Sequence, residues 1–334
     1  MGKRTSLKDI AENVGVSVAL VSYVINGLEK EKRVGADVVE RIKKAAQELN
    51  YKPNQIARSL RTGATKTIGL IVADIANPFF GNLARVIEDE ANSRGYTVIF
   101  GSSDEASSKS ALLLDVLTNR QVDGFIIVPT EGSLLQIKAL QEKGTPLVLT
   151  DRYFDELTTN YVVLDNYAAS YDAISHLIKK GYRKIGMIVY KSTLIHMKER
   201  TRGYTEAMNA NNLGNEIHIE ELCYNCIDTE KAIIKLTKGE KKVDALFFAN
   251  NALTISGLYS ILKLRVQVPN ELAIIGFDGN EAFDFFYAPV TYIKQPISEI
   301  GKEAVRILVD QINGSTSIEQ IHLKHSLIVR ESSL

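Results

Sequence analysis

Charged and amide side chains gather at four points where a short β-rich apolar run gives out: Asp74, Asp151-Arg152, Asn250-Asn251 and Asp278. A carboxylate accepts two hydroxyl hydrogen bonds and a guanidinium fork donates several, so this set suits a polyhydroxylated ligand. Phe79 and Phe80 follow Asp74 closely and offer a flat face for stacking under a sugar ring. A second chemistry lies near the N-terminus, in Val18-Ala-Leu-Val-Ser-Tyr-Val-Ile25. Val18 and Ala19 present methyl groups that suit thymine, and Tyr23 presents a hydroxyl for a base or phosphate. A third candidate, Cys223-Tyr-Asn-Cys226, has a C-x-x-C spacing, but beyond His218 no further metal ligand stands out. We read these thiols as structural or incidental and expect neither metal nor cofactor. No nucleophile–base pair, Walker loop or Gly-x-Gly-x-x-Gly is present to support an enzyme.

The first set must be held by strands. Apolar runs at 67–73, 96–101, 124–128, 147–150, 185–190, 245–249 and 272–277 alternate with helical patterns such as 79–94, 108–120 and 167–180. That alternation predicts parallel sheets flanked by helices, and open sheets of this kind bind ligands beyond the carboxyl ends of their strands. Two such units joined by crossovers give hinged lobes with a cleft between them.

The second set must be held by helices. Ser6 and Asp9 form a capping-box pattern, and Leu7, Ile10, Ala11 and Val14 share one face. Gly15 ends that helix, Ser17 caps the next, and Asn26-Gly27 stops it. A third, about 36–49, turns Val38, Val39, Ile42, Ala45, Ala46 and Leu49 to one side. Three short helices around a glycine turn predict a helix-turn-helix domain whose second helix enters the major groove. Val18 belongs either to the small core or to the base-reading face; Leu20, Val21 and Val24 already supply the inward side, which favours base contact. Beyond it, Pro53 to Arg61 is basic and helix-compatible but too short to be stable alone. Leu60, flanked by Arg58 and Arg61, suits a wedge into a minor groove. Packing of Ile56 and Leu60 on a second copy of the same helix is the alternative, and both can hold together.

The charge distribution agrees with this division. The 334 residues carry no formal net charge, yet residues 1–66 hold 13 Lys/Arg against 7 Asp/Glu and the remainder 27 against 33. A basic segment on an acidic body confines nucleic-acid contact to the N-terminus. The chain has no apolar stretch of membrane-spanning length and its N-terminus lacks a signal peptide's apolar run, so a cytoplasmic location without membrane contact is expected.

The ordered motifs Leu-Lys-Asp-Ile-Ala (7–11), Gly-Val-Ser (15–17), Val-Ser-Tyr-Val-Ile-Asn-Gly (21–27), Ala-Ala-Gln-Glu-Leu-Asn-Tyr-Lys-Pro-Asn (45–54), Ala-Arg-Ser-Leu-Arg (57–61), Thr-Ile-Gly-Leu-Ile-Val (67–72) and Asn-Pro-Phe-Phe (77–80) resemble the LacI/GalR family of bacterial transcription regulators almost end to end. The resemblance implies a homodimer on palindromic operator DNA. It implies base readers at Val18, Ala19 and Tyr23 and a minor-groove wedge at Leu60, within a DNA-contacting set of Ser17, Val18, Ala19, Ser22, Tyr23, Asn26, Asn54, Ala57, Arg58 and Leu60. For the effector it implies Arg200, in Arg-Thr-Arg-Gly-Tyr (200–204), and Asp278, in Gly-Phe-Asp-Gly, with Asp74, Phe80, Arg152 and Asn251 around them; Phe79 joins this set through its stacking face. Two stretches depart from the family pattern: Gly279 stands where a second acidic residue is frequent, and Ser192–Lys198 replaces a Gly-rich loop.

The expected organisation is an α/β protein: a helix-turn-helix domain at 1–50, a hinge at 51–63 and a two-lobed, periplasmic-binding-protein-like body at 64–334. Its N-lobe would comprise about 64–165 and 297–325, its C-lobe about 166–296 and 326–334. The chain stops soon after the strand-like run 326–329 with no heptad-patterned tail, which favours a dimer over a coiled-coil tetramer. The expected function is a sequence-specific DNA-binding regulator, a repressor, controlled by a small carbohydrate bound between the lobes. Control by a phosphocarrier protein is one alternative, and a solute-binding protein is a second, from a different class.

Overall fold

The computed structural model describes residues 5–51, 63–224, 228–239 and 242–334. The chain forms two compact units, Met1–Thr65 and Lys66–Leu334.

In the first unit, α1 (Leu7–Val14), α2 (Val18–Ile25) and α3 (Ala36–Glu48) enclose Ile10, Ala11, Val14, Val21, Val24, Ile42 and Ala45. Local chemistry sets the boundaries. The Ser6 hydroxyl accepts from the Asp9 N–H while the Asp9 carboxylate accepts from the Ser6 N–H, so both donors are satisfied at the start of α1. Gly15 turns the chain at φ +75°, a left-handed value that glycine adopts without a Cβ penalty. The Ser17 hydroxyl then caps α2 by accepting from Leu20 N–H. One core expectation is corrected: Leu20 is half-buried and lies outside the packed cluster, whereas Ile25, a full helical turn or more further on, packs against it. The expected hinge helix, with Asn54, Ala57, Arg58 and Leu60, lies outside the described residues.

The second unit begins with β1 (Thr67–Val72), α4 (Pro78–Ser93), β2 (Thr97–Ser102), α5 (Ser107–Asn119), β3 (Gly124–Ile127), α6 (Leu134–Glu142), β4 (Leu147–Thr150) and β5 (Asn160–Leu164). It continues through α7 (Asn166–Lys179), β6 (Ile185–Tyr190), α8 (Ile195–Ala210), β7 (His218–Leu222), α9 (Thr229–Lys238), β8 (Ala245–Phe248), α10 (Asn251–Leu264), β9 (Ala273–Phe277), α11 (Ala282–Phe285) and β10 (Thr291–Lys294). It closes with α12 (Ile297–Ile312), β11 (Gln320–Leu323) and β12 (Ser326–Ile328). Two six-stranded sheets result, in the orders β11-β5-β4-β3-β1-β2 and β12-β10-β9-β8-β6-β7. All pairings are parallel except β10 with β12. The chain therefore passes between the sheets three times: after β5, after β10 and after β11.

The apolar strands are buried on both faces, as parallel sheets require. In the first sheet, Phe80, Leu83 and Ile87 of α4 meet Ile300, Ala304 and Leu308 of α12 on one side, while Leu114 of α5 and Ile137 of α6 cover the other. In the second, one large cluster joins α7 and α8 to Met187, Phe247 and Phe277. Each strand order reverses direction beside its first strand, between β1 and β3 and between β6 and β8. Those reversals open crevices at the carboxyl ends of the strands. No helix among the described residues is long and apolar enough to cross a membrane.

Candidate functional site

A cavity of about 480 Å³ lies where the loops after the strands of both sheets converge, within the size range of a small-molecule site. From the first sheet it receives Asp74, Phe79, Phe80, Glu105, Asp151 and Arg152. From the second it receives His196, Arg200, Asn250 and Asp278, with Gln295 at a crossover. Of the residues singled out in the sequence, Asp74, Phe79, Phe80, Asp151, Arg152, Arg200, Asn250 and Asp278 meet here. Asn251 does not line the cavity: it is buried at the first turn of α10, and its neighbour Asn250 forms the wall while capping that helix through Leu253 N–H.

Arg152 is held from three directions. Its two terminal nitrogens donate to the two carboxylate oxygens of Glu105 at 2.9 Å each, and Nε donates to Asp151 at 3.1 Å. Burial works against its charge, but Glu105 and Asp151 outweigh that and keep the guanidinium protonated. Arg200 is held differently. Its Nε donates to Asn166 Oδ1 at 2.8 Å, Nη1 donates to the Ala249 carbonyl at 2.6 Å, and the guanidinium lies 3.6 Å from the Phe277 ring centroid. Burial lowers its pKa, against an opposing pull from Asp278 and Asp151. Asp278 accepts from Gln295 Nε2 at 2.6 Å. Burial raises its carboxyl to about 6, with Arg200 and Gln295 pulling it part of the way back.

Glu105, Asp151 and Asp278 all have φ between +56° and +66°, a sparsely occupied region for residues with a side chain. Such conformations gather at functional sites, where the surrounding structure holds them. The helices contribute too. The motif Arg200-Thr-Arg-Gly203-Tyr204 works as a unit: a Cβ on Gly203 would lie 2.3 Å from the Tyr167 carbonyl, so glycine permits α7 and α8 to approach closely. Tyr204, fully buried, donates to the Ile185 carbonyl at 2.7 Å and accepts from His218 N–H, fixing α8 against the sheet.

Among the wall residues that the sequence did not single out are His196, Gln295, Glu105 and Glu131. His196 is buried one helical turn before Arg200, and burial with two nearby arginines keeps its imidazole neutral, well below its ordinary pKa. Spacing i, i+4 from Arg200 was the available signal. Gln295 and Glu105 lie just beyond β10 and β2. Glu131 spans the cleft, accepting from the Thr193 hydroxyl at 2.6 Å and from Thr193 N–H. A second contact across the cleft runs from the Tyr224 hydroxyl to Asp74 at 3.2 Å. Among the described residues, the buried His196 Nδ1, Gln295 Oε1 and Asn251 Nδ2 meet no hydrogen-bond partner. Cys223 is exposed and unbridged, and Cys226 lies outside the described residues.

In the first unit, α2 turns Val18, 44% exposed, and Ala19 to solvent at its N-terminal end, next to the cap Ser17. Ser22 and Tyr23 are half-buried on the following turn. Asn26 folds back, donating to the Ser22 carbonyl at 2.6 Å and to its hydroxyl at 3.2 Å. Lys32 Nζ sits 5.9 Å from the Tyr23 ring centroid.

Together these features define a class: a helix-turn-helix unit joined to a two-sheet body of the periplasmic-binding-protein kind. Known proteins agree. The description "Bacterial regulatory proteins, lacI family" matches residues 6–54, and "Periplasmic binding protein-like domain" matches residues 174–333. The chain is 32% identical over 332 residues to the HTH-type transcriptional repressor PurR of Aliivibrio salmonicida (strain LFI1238), covering 98% of each. The transcriptional regulator CelR–cellobiose complex superposes with a TM-score of 0.72 at 27% identity, covering 98% of this chain and 100% of that one. The Lac repressor dimer bound to operator and the anti-inducer ONPF shares the fold, with a TM-score of 0.88 at 21% identity over 99% of this chain and 100% of that one. The chain belongs to the lacI family of bacterial regulatory proteins and is a DNA-binding transcriptional regulator.

Proposed function

We propose that this regulator is a homodimeric repressor that binds palindromic operator DNA and is controlled by a small saccharide held, without turnover, in the cleft of its body. The carrying observation is the buried polar wall. Arg152, Arg200, Asp151 and Asp278 are each no more than 5% exposed, beside the aromatic faces of Phe79 and Phe80. Buried polar atoms without partners, such as His196 Nδ1 and Gln295 Oε1, are unfavourable unless a ligand supplies the missing hydrogen bonds. A ring bearing several hydroxyls supplies both donors and acceptors. The cellobiose complex of a relative supports the same reading.

On the DNA side, Val18, Ala19 and Tyr23 read base edges, with Ser17, Ser22 and Asn26 positioning α2. In the hinge, Asn54, Ala57 and Arg58 contact DNA and Leu60 wedges into the minor groove. The segment 51–63 joins this domain to the body, whose N-lobe is about 64–165 with 297–325 and whose C-lobe is the remainder. The body rests on three crossovers, so closing the cleft on a sugar moves one sheet relative to the other. That movement, passed through the dimer, sets whether two hinges can fold on the operator.

Calorimetric titration of the full chain with a sugar panel that includes cellobiose, ribose and glucose tests the pocket. Binding to the wild type with at least about 100-fold weaker binding to Arg200→Ala is expected, since the variant removes a buried charged donor. Equal affinities would remove Arg200 from the site.

A further inference from the structure

The charge inventory of the cleft points to a sharper ligand class. We infer that it takes its sugar as an uncharged molecule and rejects the phosphate ester of the same sugar, with Glu105 as the residue that sets this preference. The inference rests on the saccharide reading above.

Six carboxylates and three cations line the cavity, so an incoming anion meets an excess of negative charge. The cations are also committed. Lys191 is exposed at the rim. Arg152 gives one donor on each of its three nitrogens to Glu105 or Asp151. Arg200 sits over the Phe277 ring, 3.6 Å from its centroid, with Nε and Nη1 tied to the neutral acceptors Asn166 and the Ala249 carbonyl. Among the described residues this leaves Nη2 alone uncommitted for a ligand, and no free bidentate fork is available. A phosphate ester carries between one and two negative charges near neutral pH and is held by arginine forks facing it with their charge unspent. Here the fork of Arg152 already faces a carboxylate in bidentate geometry. To recruit it, a phosphate would have to displace Glu105, whose side chain is only 20% exposed, leaving that carboxylate poorly solvated beside a second anion.

A neutral hydroxyl meets none of these obstacles. Arg152 retains a free N–H on each terminal nitrogen. Asp151 and Asp278 accept hydroxyl donors, and the unpartnered Gln295 Oε1 accepts another. Glu105 thus spends the charge of Arg152 while leaving its spare donors available. It lies with Asp104 in a turn just after β2 where both residues have a left-handed backbone, at φ +56° and +50°.

The test compares each neutral sugar with its own ester by calorimetry on the full chain: ribose with ribose 5-phosphate, and glucose with glucose 6-phosphate. The expected result is that the neutral sugar binds and its ester is weaker by on the order of 30-fold or more. Glu105→Gln keeps the shape and one acceptor while removing the charge, and should narrow that gap by about tenfold. An ester binding as tightly as its parent sugar would overturn the inference while leaving the saccharide reading intact. Absence of binding by every sugar and every ester would overturn both. An unchanged gap in Glu105→Gln would take the discriminating role away from Glu105. The wild-type comparison stands whatever the folding behaviour of the variant.

Discussion

Asp278 and His196 lie in one cleft and respond to burial in opposite directions, which gives the site a particular dependence on pH. Burial raises the Asp278 carboxyl to about 6, against the pull of Arg200 and Gln295. Burial, together with Arg152 and Arg200, pushes the His196 imidazole the other way, well below its ordinary pKa. Ionised Asp278 accepts hydroxyl hydrogen bonds, and protonation removes part of that capacity. Sugar affinity should therefore fall as pH drops through about 6, by up to tenfold per unit. The stability contribution has the opposite sign. With its carboxyl raised in the folded state, Asp278 binds its proton more tightly folded than unfolded between about pH 4 and 6. Its contribution to stability is thus fully present at the acid end and is lost as pH rises through that window. Calorimetric affinities from about pH 5 to 7.5 check this, and a flat profile would show that the ligand does not engage the carboxylate. At this scale the sequence was partly legible. Asp74, Arg152 and Asp278 follow strands directly, and Arg200 came with its motif. Glu105 does not stand out from Asp104 beside it: both have a left-handed backbone and both line the cavity, and only the pairing with Arg152, distant in sequence, sets Glu105 apart. The family resemblance points to Asn251, but the position of the helix cap puts Asn250 in the cavity wall instead.

The elements that carry these residues depend on close backbone contact at one point. Gly203 of α8 sits against the Tyr167 carbonyl of α7, where an added Cβ would come within 2.3 Å, and Ser170 Cβ and Tyr171 N would be 3.0 Å away. Backbone atoms cannot swing aside as a flexible side chain would. Gly203→Ala should therefore push the helices apart and cost about 1–3 kcal/mol, on the scale of core overpacking. Because Arg200 lies one turn earlier on the same helix, sugar affinity should fall with stability. Thermal unfolding of the body would show the change as a drop of several degrees in Tm. An unchanged Tm would mean that the helices have room to separate. Element positions are well signalled where apolar runs are continuous: β4, predicted at 147–150, and β6, predicted at 185–190, have those bounds. The edge strands β7 (His-Ile-Glu-Glu-Leu) and β11 (Gln-Ile-His-Leu) were not singled out, since half-exposed edges carry no continuous apolar run.

For the whole molecule, the charge asymmetry between the first 66 residues and the rest was readable directly, but the surface that would join two copies was not. It depends on which apolar residues remain uncovered once both sheets are built. On the first lobe these include Leu112 of α5, 62% exposed, and Phe100 on the edge strand β2, 58% exposed. On the second they include Tyr259 and Leu262 of α10 and Phe285 of α11, the last 84% exposed. Apolar residues of this size, exposed on helices of both lobes, are suited to a protein–protein contact. We propose that these exposed residues take part in the dimer interface. Two DNA-reading units on one dimer bind a palindrome with the second contact made nearly intramolecular, so loss of the dimer weakens operator binding far more than loss of any single base contact. A double variant, Leu112→Asp with Leu262→Asp, places a charge among these residues on each lobe while leaving the first unit and the cleft untouched. It should sediment as a monomer at concentrations where the wild type is dimeric and lose on the order of 100-fold in operator affinity, with sugar binding retained. A dimer that survives both charges would place the interface elsewhere. A monomer that still holds the palindrome at wild-type affinity would instead separate DNA recognition from dimerisation.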